Sequence, residues 1–332
     1  MFYMSMLTGS LISISSSSWI TAWMGLELNL MSILPLMKNI KYKNSSESTI
    51  KYFIVQAIAS TLMLFSIIMM TNLENFQFSF YLMNKLNMIT ASALLMKMGA
   101  APFHFWIPEV TMGLSWKMVY IILTWQKLAP MILIINTIYN NIMFMSIIII
   151  LSSMMGSILG MNQTYLKKLM SYSSINHISW MLAASLCSYS TWLIYYIIYC
   201  MMNTNIIIML NKYKMNSIYQ LINFLSKNKQ MKMMFMMNFL SLGGLPPFLG
   251  FLPKWITINQ LINNNYYTIT FILILFSLIS LYFYLRISFS SFMFYSTENL
   301  ININQTMNFN MTMMNMINIM GMIMYPLLYF SM

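Results

Sequence analysis

Apolar runs of about 20 residues follow one another along most of this sequence, and a run of that length can cross the hydrocarbon core of a membrane. Only 7% of the 332 residues are charged, whereas soluble domains average about 25%. Polar stretches such as residues 38–47 and 211–232 separate the runs. The sequence therefore predicts a single all-α, polytopic membrane domain over residues 1–332, without a separate soluble domain.

Eleven transmembrane helices are predicted from these runs. They cover about residues 2–17, 20–37, 49–71, 86–105, 114–138, 143–160, 166–187, 190–210, 233–261, 266–287 and 311–331. With eleven crossings, thirteen cations fall on the N-terminal face and only Lys85 on the other. Such a bias marks the cytoplasm-like side of a membrane, so we expect the N terminus there. The thirteen are Lys38, Lys41, Lys43, Lys51, Lys117, Lys167, Lys168, Lys212, Lys214, Lys227, Lys229, Lys232 and Arg286.

Orientation and contact with the lipid surface explain the net charge of +12 without nucleic acid, and no nucleic-acid-binding motif accompanies it. The two cysteines, Cys187 and Cys200, match no metal-binding or redox spacing. We therefore predict no metal site in this chain.

Five ionisable groups are predicted to lie near the middle of the membrane: Glu27, Lys97, Lys127, His177 and Lys254. A lysine at the centre of a membrane helix costs about 2.5–3.5 kcal/mol on insertion scales. One interpretation is a static ion-pair network that holds helices together. The charges of three lysines and one glutamate do not cancel, however, and buried amines release a proton more readily than exposed ones. The excess of lysines therefore favours a site that exchanges protons over a static network.

Two segments share the pattern G-x-x-P-F-x-x-x-x-P: GAAPFHFWIP at residues 99–108 and GLPPFLGFLP at residues 244–253. They fall in the fourth and ninth predicted spans, which cross the membrane in opposite senses. Matched breaks of this kind are typical of inverted repeats with discontinuous helices. We predict two inverted five-helix repeats, about 1–140 and 141–290, and an extra C-terminal helix at about 311–331.

Each break is predicted to leave a hydrated gap beside a buried lysine, at Gly99–Pro102 for Lys97 and at Gly244–Pro247 for Lys254. Backbone groups freed inside a membrane are tolerated only where protein or trapped water satisfies them. The alternative is that the prolines only kink the helices and improve their packing.

Several segments carry a resemblance to a known family. They are WMGLELNLMSILPL, SALLMKMGAAPFHFWIPEV, LTWQKLAP, MNQTYLKKLMSYSSINHISWML and NFLSLGGLPPFLGFLPKW. The chain closely resembles, over essentially its whole length, the chain 2 family of animal mitochondrial NADH–ubiquinone oxidoreductase. These are antiporter-like membrane subunits of respiratory complex I, and the composition is similar to that of insect members.

The resemblance implies a role for each matching residue. Glu27 and Lys97 would form a switchable pair, Lys127 would be the next lysine of the proton relay, and Lys254 its far end. His104 and His177 also fall at matching positions, with less defined roles.

The family further implies a multi-pass protein of the mitochondrial inner membrane with its N terminus on the matrix side. Its partners would be other membrane and accessory subunits of the complex, together with lipids. No dinucleotide fingerprint, cysteine cluster or haem-type histidine pair is present in the sequence. We therefore expect no cofactor in this chain, with NADH, flavin, iron–sulfur clusters and ubiquinone handled by other subunits.

Two other functions stay open from the residues alone. A stand-alone cation/proton antiporter would need a carboxylate-rich ion site, which a chain with no aspartate and one membrane glutamate does not offer. A structural or assembly subunit without its own proton path would retain the same charges. A stand-alone antiporter would purify as a small homo-oligomer and not as part of a very large assembly. A structural subunit would be recognised by an unchanged proton-pumping stoichiometry in variants of Lys127 and Lys254.

Overall fold

The computed structural model describes residues 1–38, 44–74, 80–138, 141–225 and 229–293, and five residues of the last segment: Thr312, Met313, Asn315, Met316 and Asn318. Every named element in these ranges is an α-helix. Apart from those five residues, which are helical, the predicted span at 311–331 lies outside the described residues.

Fourteen helices are present in the described ranges. They are α1 Phe2–Ser15, α2 Trp19–Met37, α3 Ser45–Glu74, α4 Phe80–Met98, α5 Trp106–Gly113, α6 Trp116–Leu123, α7 Trp125–Ile138, α8 Ile142–Met161, α9 Leu166–Cys187, α10 Tyr189–Lys212, α11 Ile218–Leu225, α12 Lys229–Gly243, α13 Phe251–Asn263 and α14 Tyr267–Met293.

Six stretches among the described residues are long and apolar enough to cross a membrane. They are Trp19–Met37, Ser45–Asn72, Trp116–Ile138, Ile142–Met161, Tyr189–Lys212 and Tyr267–Phe289. Helix α9 is also long but carries many serines, yet almost every one of its residues is buried. Its polar side chains therefore face other helices, which lets a less apolar helix belong to this fold.

The chain divides into two compact units, Met1–Ser152 and Ser153–Met332. In the first unit α1 packs against α2, α3 against α4 and α5, and α4 against α7. In the second, α9 packs against α10, α13 and α14, and α12 packs against α10 and α14. The first unit contains the first predicted break, and the second unit contains the second.

The first predicted break is present between α4 and α5, at residues 99–105. Gly99 adopts a φ of +73°, the left-handed region that favours glycine. Its N–H donates to the Met96 carbonyl at 3.2 Å, and the Ala100 N–H donates to the Leu95 carbonyl at 3.1 Å. This pair of bonds is the Schellman motif, which ends a helix by satisfying its last carbonyls.

The second break, between α12 and α13, is closed in the same way. Gly244 adopts a φ of +80°. Its N–H donates to the Ser241 carbonyl at 3.0 Å, and the Leu245 N–H donates to the Leu240 carbonyl at 3.4 Å. The first glycine of each G-x-x-P-F segment thus has one physical role, since it supplies the left-handed residue that stops the helix.

Three features of the helices were not anticipated. Beyond the first break, residues 106–113 form the separate helix α5. The predicted span 114–138 is divided at Thr124 into α6 and α7, and its Pro130 cannot donate the helix bond to the residue four earlier. The polar stretch 211–232 contains the short helix α11.

The adjacent glycines 243 and 244 provide a matched test of the second break. A Cβ on Gly244 would meet Lys254 Nζ at 2.9 Å in a strained backbone, whereas a Cβ on Gly243 meets Tyr284 Cδ2 at an ordinary 3.5 Å. We expect Gly244→Ala to lower the free energy of unfolding by about 1–2 kcal/mol or more. Gly243→Ala should leave the free energy of unfolding unchanged or raise it. Thermal denaturation in detergent measures both, and equal midpoints for the two variants would contradict the assigned role of Gly244.

Candidate functional site

Lys97 lies at the C-terminal end of α4, with only 5% of its surface exposed. Its amine has no hydrogen-bond partner within the described part of the chain. The half-buried Glu27, on α2, is near enough to interact with it electrostatically. The two do not form an ion pair within 4 Å, because the pairs of that length among the described residues are those of Lys51. The Glu27 carboxylate therefore interacts electrostatically with the Lys97 amine without forming a direct ion pair with it.

A small cavity lies beside Lys97, between α2, α3, α4 and α7. Its volume of about 10 Å³ is close to what a single water molecule needs. Two of its lining residues, Asn29 and Gln126, exchange two amide hydrogen bonds, of 2.9 and 3.0 Å. The lining residues are Leu26, Asn29, Leu30, Tyr52, Gln56, Lys97, Gln126 and Pro130. We call Asn29, Tyr52, Gln56, Lys97 and Gln126 the first polar cluster.

Side chains satisfy the carbonyls that the first break sets free. Gln56 Nε2 donates to the Lys97 carbonyl at 3.2 Å, and Trp106 Nε1 donates to the Met96 carbonyl at 3.2 Å. The Tyr52 ring packs edge-on against Trp106, with centroids 5.6 Å apart. The break is thus closed by donors from α3 and α5, while Lys97 lines the cavity and its buried amine has no hydrogen-bond partner among the described residues.

Lys127 and His104 also belong to the first unit. Lys127 is 2% exposed, on α7 directly after Gln126, and α7 packs against the helix of Lys97. His104 is fully buried in the break between α4 and α5. Its Nδ1 lies 3.3 Å from the Pro102 carbonyl, which can only accept, so Nδ1 carries the proton and Nε2 is the basic nitrogen.

In the second unit, Lys254 occupies the first turn of α13 and is 6% exposed. Its amine donates to the Gly243 carbonyl, the last residue of α12, at 2.9 Å. It also lies 5.9 Å from the centroid of the Trp180 ring. A carbonyl at a helix C-terminus is a favourable neighbour for a cation, and an aromatic face adds to that attraction. The two halves of the broken helix are therefore joined by this lysine.

His177 lies one turn from Trp180 on the buried helix α9. Its Nδ1 is 2.9 Å from the hydroxyl of Tyr195 on α10, and its ring centroid is 5.1 Å from that of Tyr199. Residues three apart share a helix face, so α9 presents its histidine and the tryptophan that contacts Lys254 on the same side. We call His177, Trp180, Tyr195 and Lys254 the second polar cluster.

Sequence reasoning missed the uncharged members of both clusters. Gln126 and Asn29 stand beside predicted charges, but nothing in a single sequence shows that their amides pair. Gln56 and Tyr195 lie in apolar helices, and only the packing of α3 on α4 and of α10 on α9 reveals their partners. A polar residue in an otherwise apolar span was the one signal available for each.

Some of the cations assigned to the lipid surface have other environments. Lys167 and Lys232 are only 5% and 4% exposed, so both are buried within the second unit. Arg286 donates to the carbonyls of Met161 and Gln163 at 2.6 and 2.7 Å, and so caps the end of α8. Lys41, Lys43 and Lys227, with the side chain of Lys229, lie outside the described residues.

Comparison with known proteins places this arrangement in a class. The family described as "NADH:quinone oxidoreductase/Mrp antiporter, TM" matches residues 16–280. A chain in "Respiratory complex I from Thermus thermophilus with bound Aureothin" shares the fold with a TM-score of 0.85 and 19% identity, over 97% of this chain and 77% of that one. The chain thus belongs to the antiporter-like membrane family that this description covers.

Curated relatives narrow the class further. The "NADH-ubiquinone oxidoreductase chain 2" of Anopheles gambiae is 46% identical, over 100% of this chain and 98% of its own length. That of Aedes aegypti is 45% identical, over 99% and 97%. The chain belongs to the NADH–ubiquinone oxidoreductase chain 2 family, as its sequence motifs predict.

The amide pair between Asn29 and Gln126 gives a test of the first polar cluster. We expect Gln126→Leu to destabilise the protein by about 1–3 kcal/mol, because it leaves the buried Asn29 amide without its partner. The double variant Asn29→Leu with Gln126→Leu should recover part of that loss. Thermal denaturation of the two single variants and the double variant completes the cycle, and strictly additive losses would contradict the pairing.

Proposed function

We propose that this chain is a proton-translocating, antiporter-like core subunit of respiratory complex I, which couples NADH:ubiquinone electron transfer to proton pumping. The observation that carries the proposal is that each of two matched helix breaks holds a buried lysine, Lys97 or Lys254. Membership of the chain 2 family supplies the reaction, since its relatives are named for NADH–ubiquinone oxidoreduction.

At the first break, Lys97 and Glu27 act as the switch. The charged amine is favoured while the carboxylate is close, and it is disfavoured when the carboxylate is distant, because burial opposes an unpaired charge. The proton released from Lys97 enters the cavity lined by Gln126 and passes towards Lys127, the next residue of α7. The absence of a direct ion pair supports this role, since the interaction can be strengthened or weakened by small movements of α2.

At the second break, Lys254 is the far end of the relay and His177 stands before it. A hydrogen bond from a charged amine is roughly twice as strong as one from a neutral amine. Protonated Lys254 therefore holds the Gly243 carbonyl more tightly than neutral Lys254 does. The Tyr195 hydroxyl fixes the orientation of the His177 ring through its hydrogen bond with Nδ1. When the histidine is protonated, Nδ1 donates and the hydroxyl oxygen accepts; when Nδ1 has lost its proton, the hydroxyl donates to it.

The topology that this function needs comprises eleven transmembrane helices in two inverted five-helix repeats, with a last helix at about 311–331. The Schellman motifs at Gly99 and Gly244 support the repeat, since the same motif recurs at the matching glycine of each segment. The protein lies in the mitochondrial inner membrane with its N terminus on the matrix side. The exposed Lys38 and Lys117 are on the same predicted face as that terminus.

The chain works as one part of a larger assembly. Its partners are other membrane and accessory subunits of complex I, with lipids around the exposed apolar faces of helices such as α3 and α14. NADH, flavin, iron–sulfur clusters and ubiquinone are bound by other subunits, and this chain binds no cofactor, metal or nucleic acid. Recovery of an isolated homodimer as the sole native form would contradict this assignment.

A charge-neutral variant of Glu27 tests the switch. We expect Glu27→Gln to leave assembly intact and to lower coupled proton pumping severalfold, because a neutral amide cannot favour the protonated Lys97 amine as a carboxylate does. Proton uptake measured with NADH-driven turnover in reconstituted vesicles gives the result. Glu47→Gln is the control, because Glu47 is exposed and pairs with Lys51 at the surface. Normal pumping by an assembled Glu27→Gln complex would exclude the switch.

A further inference from the structure

Three asparagines link the last segment of the chain to the second helix break. Asn315 and Asn318 lie three residues apart in the described helical part of that segment, so they share one face. Asn318 Nδ2 donates to Asn238 Oδ1 at 3.0 Å, and Asn238 Nδ2 donates to Asn315 Oδ1 at 2.7 Å. We call Asn238, Asn315 and Asn318 the asparagine clamp.

The asparagine clamp is built inside the second unit and not on its surface. Asn238, Asn315 and Asn318 are 1%, 2% and 1% exposed. Asn315 Nδ2 also lies 3.3 Å from the sulfur of Met234, one turn before Asn238 on α12. Buried amides are costly unless hydrogen-bonded, so the two bonds through Asn238 fix the positions of Asn315 and Asn318 beside α12.

The same segment also reaches the loop of the break. The Leu249 N–H, between α12 and α13, donates to the Asn318 backbone carbonyl at 3.1 Å. Asn318 therefore contacts both sides of the break, α12 through its side chain and the loop before α13 through its backbone. A backbone donor freed in the break thus has an acceptor that comes from the far end of the chain.

The asparagine clamp lies next to both partners of the hydrogen bond between the Lys254 amine and the Gly243 carbonyl. Asn238 lies just before the last turn of α12, and that turn ends in the Gly243 carbonyl that accepts from the lysine amine at 2.9 Å. Leu249 lies just before the first turn of α13, which carries Lys254 itself. The donor and the acceptor of this hydrogen bond are therefore each tied to the last segment.

We propose that the asparagine clamp positions the Lys254 amine on the Gly243 carbonyl, so that Asn238, Asn315 and Asn318 are positioning residues for the second break. The last segment, which has no part in the relay itself, then acts as a brace that sets the separation of the two half-helices. The consequence for proton transfer rests on the proposed role of Lys254, whereas the consequence for geometry does not.

The test replaces all three asparagines with leucine in the assembled complex, since removing every member leaves no amide unpaired. Cryo-electron microscopy of the variant complex measures the distance from Lys254 Nζ to the Gly243 carbonyl. We expect it to exceed about 3.5 Å, which is loss of the hydrogen bond. We also expect the pH profile of coupled turnover to shift. Asn141→Leu is the control, because Asn141 is a similarly buried amide, in the first unit, that donates to the Asn84 carbonyl.

The outcomes separate the two proposals. A Lys254–Gly243 bond that is unchanged in the triple variant overturns the asparagine clamp as a positioning device. A displaced Lys254 with an unchanged pH profile and normal pumping confirms the positioning and overturns the proposed role of Lys254. If the triple variant does not assemble, Asn318→Ala removes the single side-chain bond to Asn238, and the same distance decides the question.

Discussion

A broken helix in an apolar bundle must find partners for the backbone groups that it sets free, and the rest of this structure depends on how those partners are supplied. Each unsatisfied N–H or C=O inside a membrane costs several kcal/mol, and a buried lysine adds a similar cost. At the second break the two costs offset each other, because the Lys254 amine donates to the free Gly243 carbonyl. A charge and a helix terminus that would each be unfavourable alone are stable together.

The two breaks share a backbone motif but differ in the side chains that complete them. Gly99 and Gly244 both end their helices in the left-handed region. At the first break, Gln56 and Trp106 supply the donors, and the buried amine of Lys97 has no hydrogen-bond partner among the described residues. At the second, the lysine itself is the donor. The amine of Lys254 is therefore held by a hydrogen bond, whereas that of Lys97 has none among the described residues.

The sequence predicted those parts of the fold that each segment encodes locally. Helix lengths follow from apolar runs, and both breaks follow from glycine and proline at matching positions. The bounds of α9 were predicted to the residue, Leu166–Cys187, because polar residues mark both ends. Helix α5 was missed, since its eight residues, Trp106–Gly113, follow a break and are too few to read as a span.

Partnerships between helices were beyond the reach of a single sequence. Lys167 and Lys232 were assigned to the surface by their place in the topology, yet packing buries both of them. The pairing of Asn29 with Gln126 depends on where α2 meets α7, which no local pattern specifies. The burial of Lys97, Lys127 and Lys254 was predictable because a charge in an apolar span is conspicuous, whereas an amide is not.

The proposed proton relay depends on the buried amine of Lys97, and two lysines of α4 allow the most direct measurement of its role. Lys97 is buried and Lys85 is exposed, so Lys97→Met and Lys85→Met change the same helix by the same amount. Protons translocated per NADH oxidised are measured for both variants in reconstituted, assembled complexes. We expect a lower ratio for Lys97→Met and an unchanged ratio for Lys85→Met. A Lys97→Met complex that assembles and translocates protons at the unaltered ratio would contradict the account.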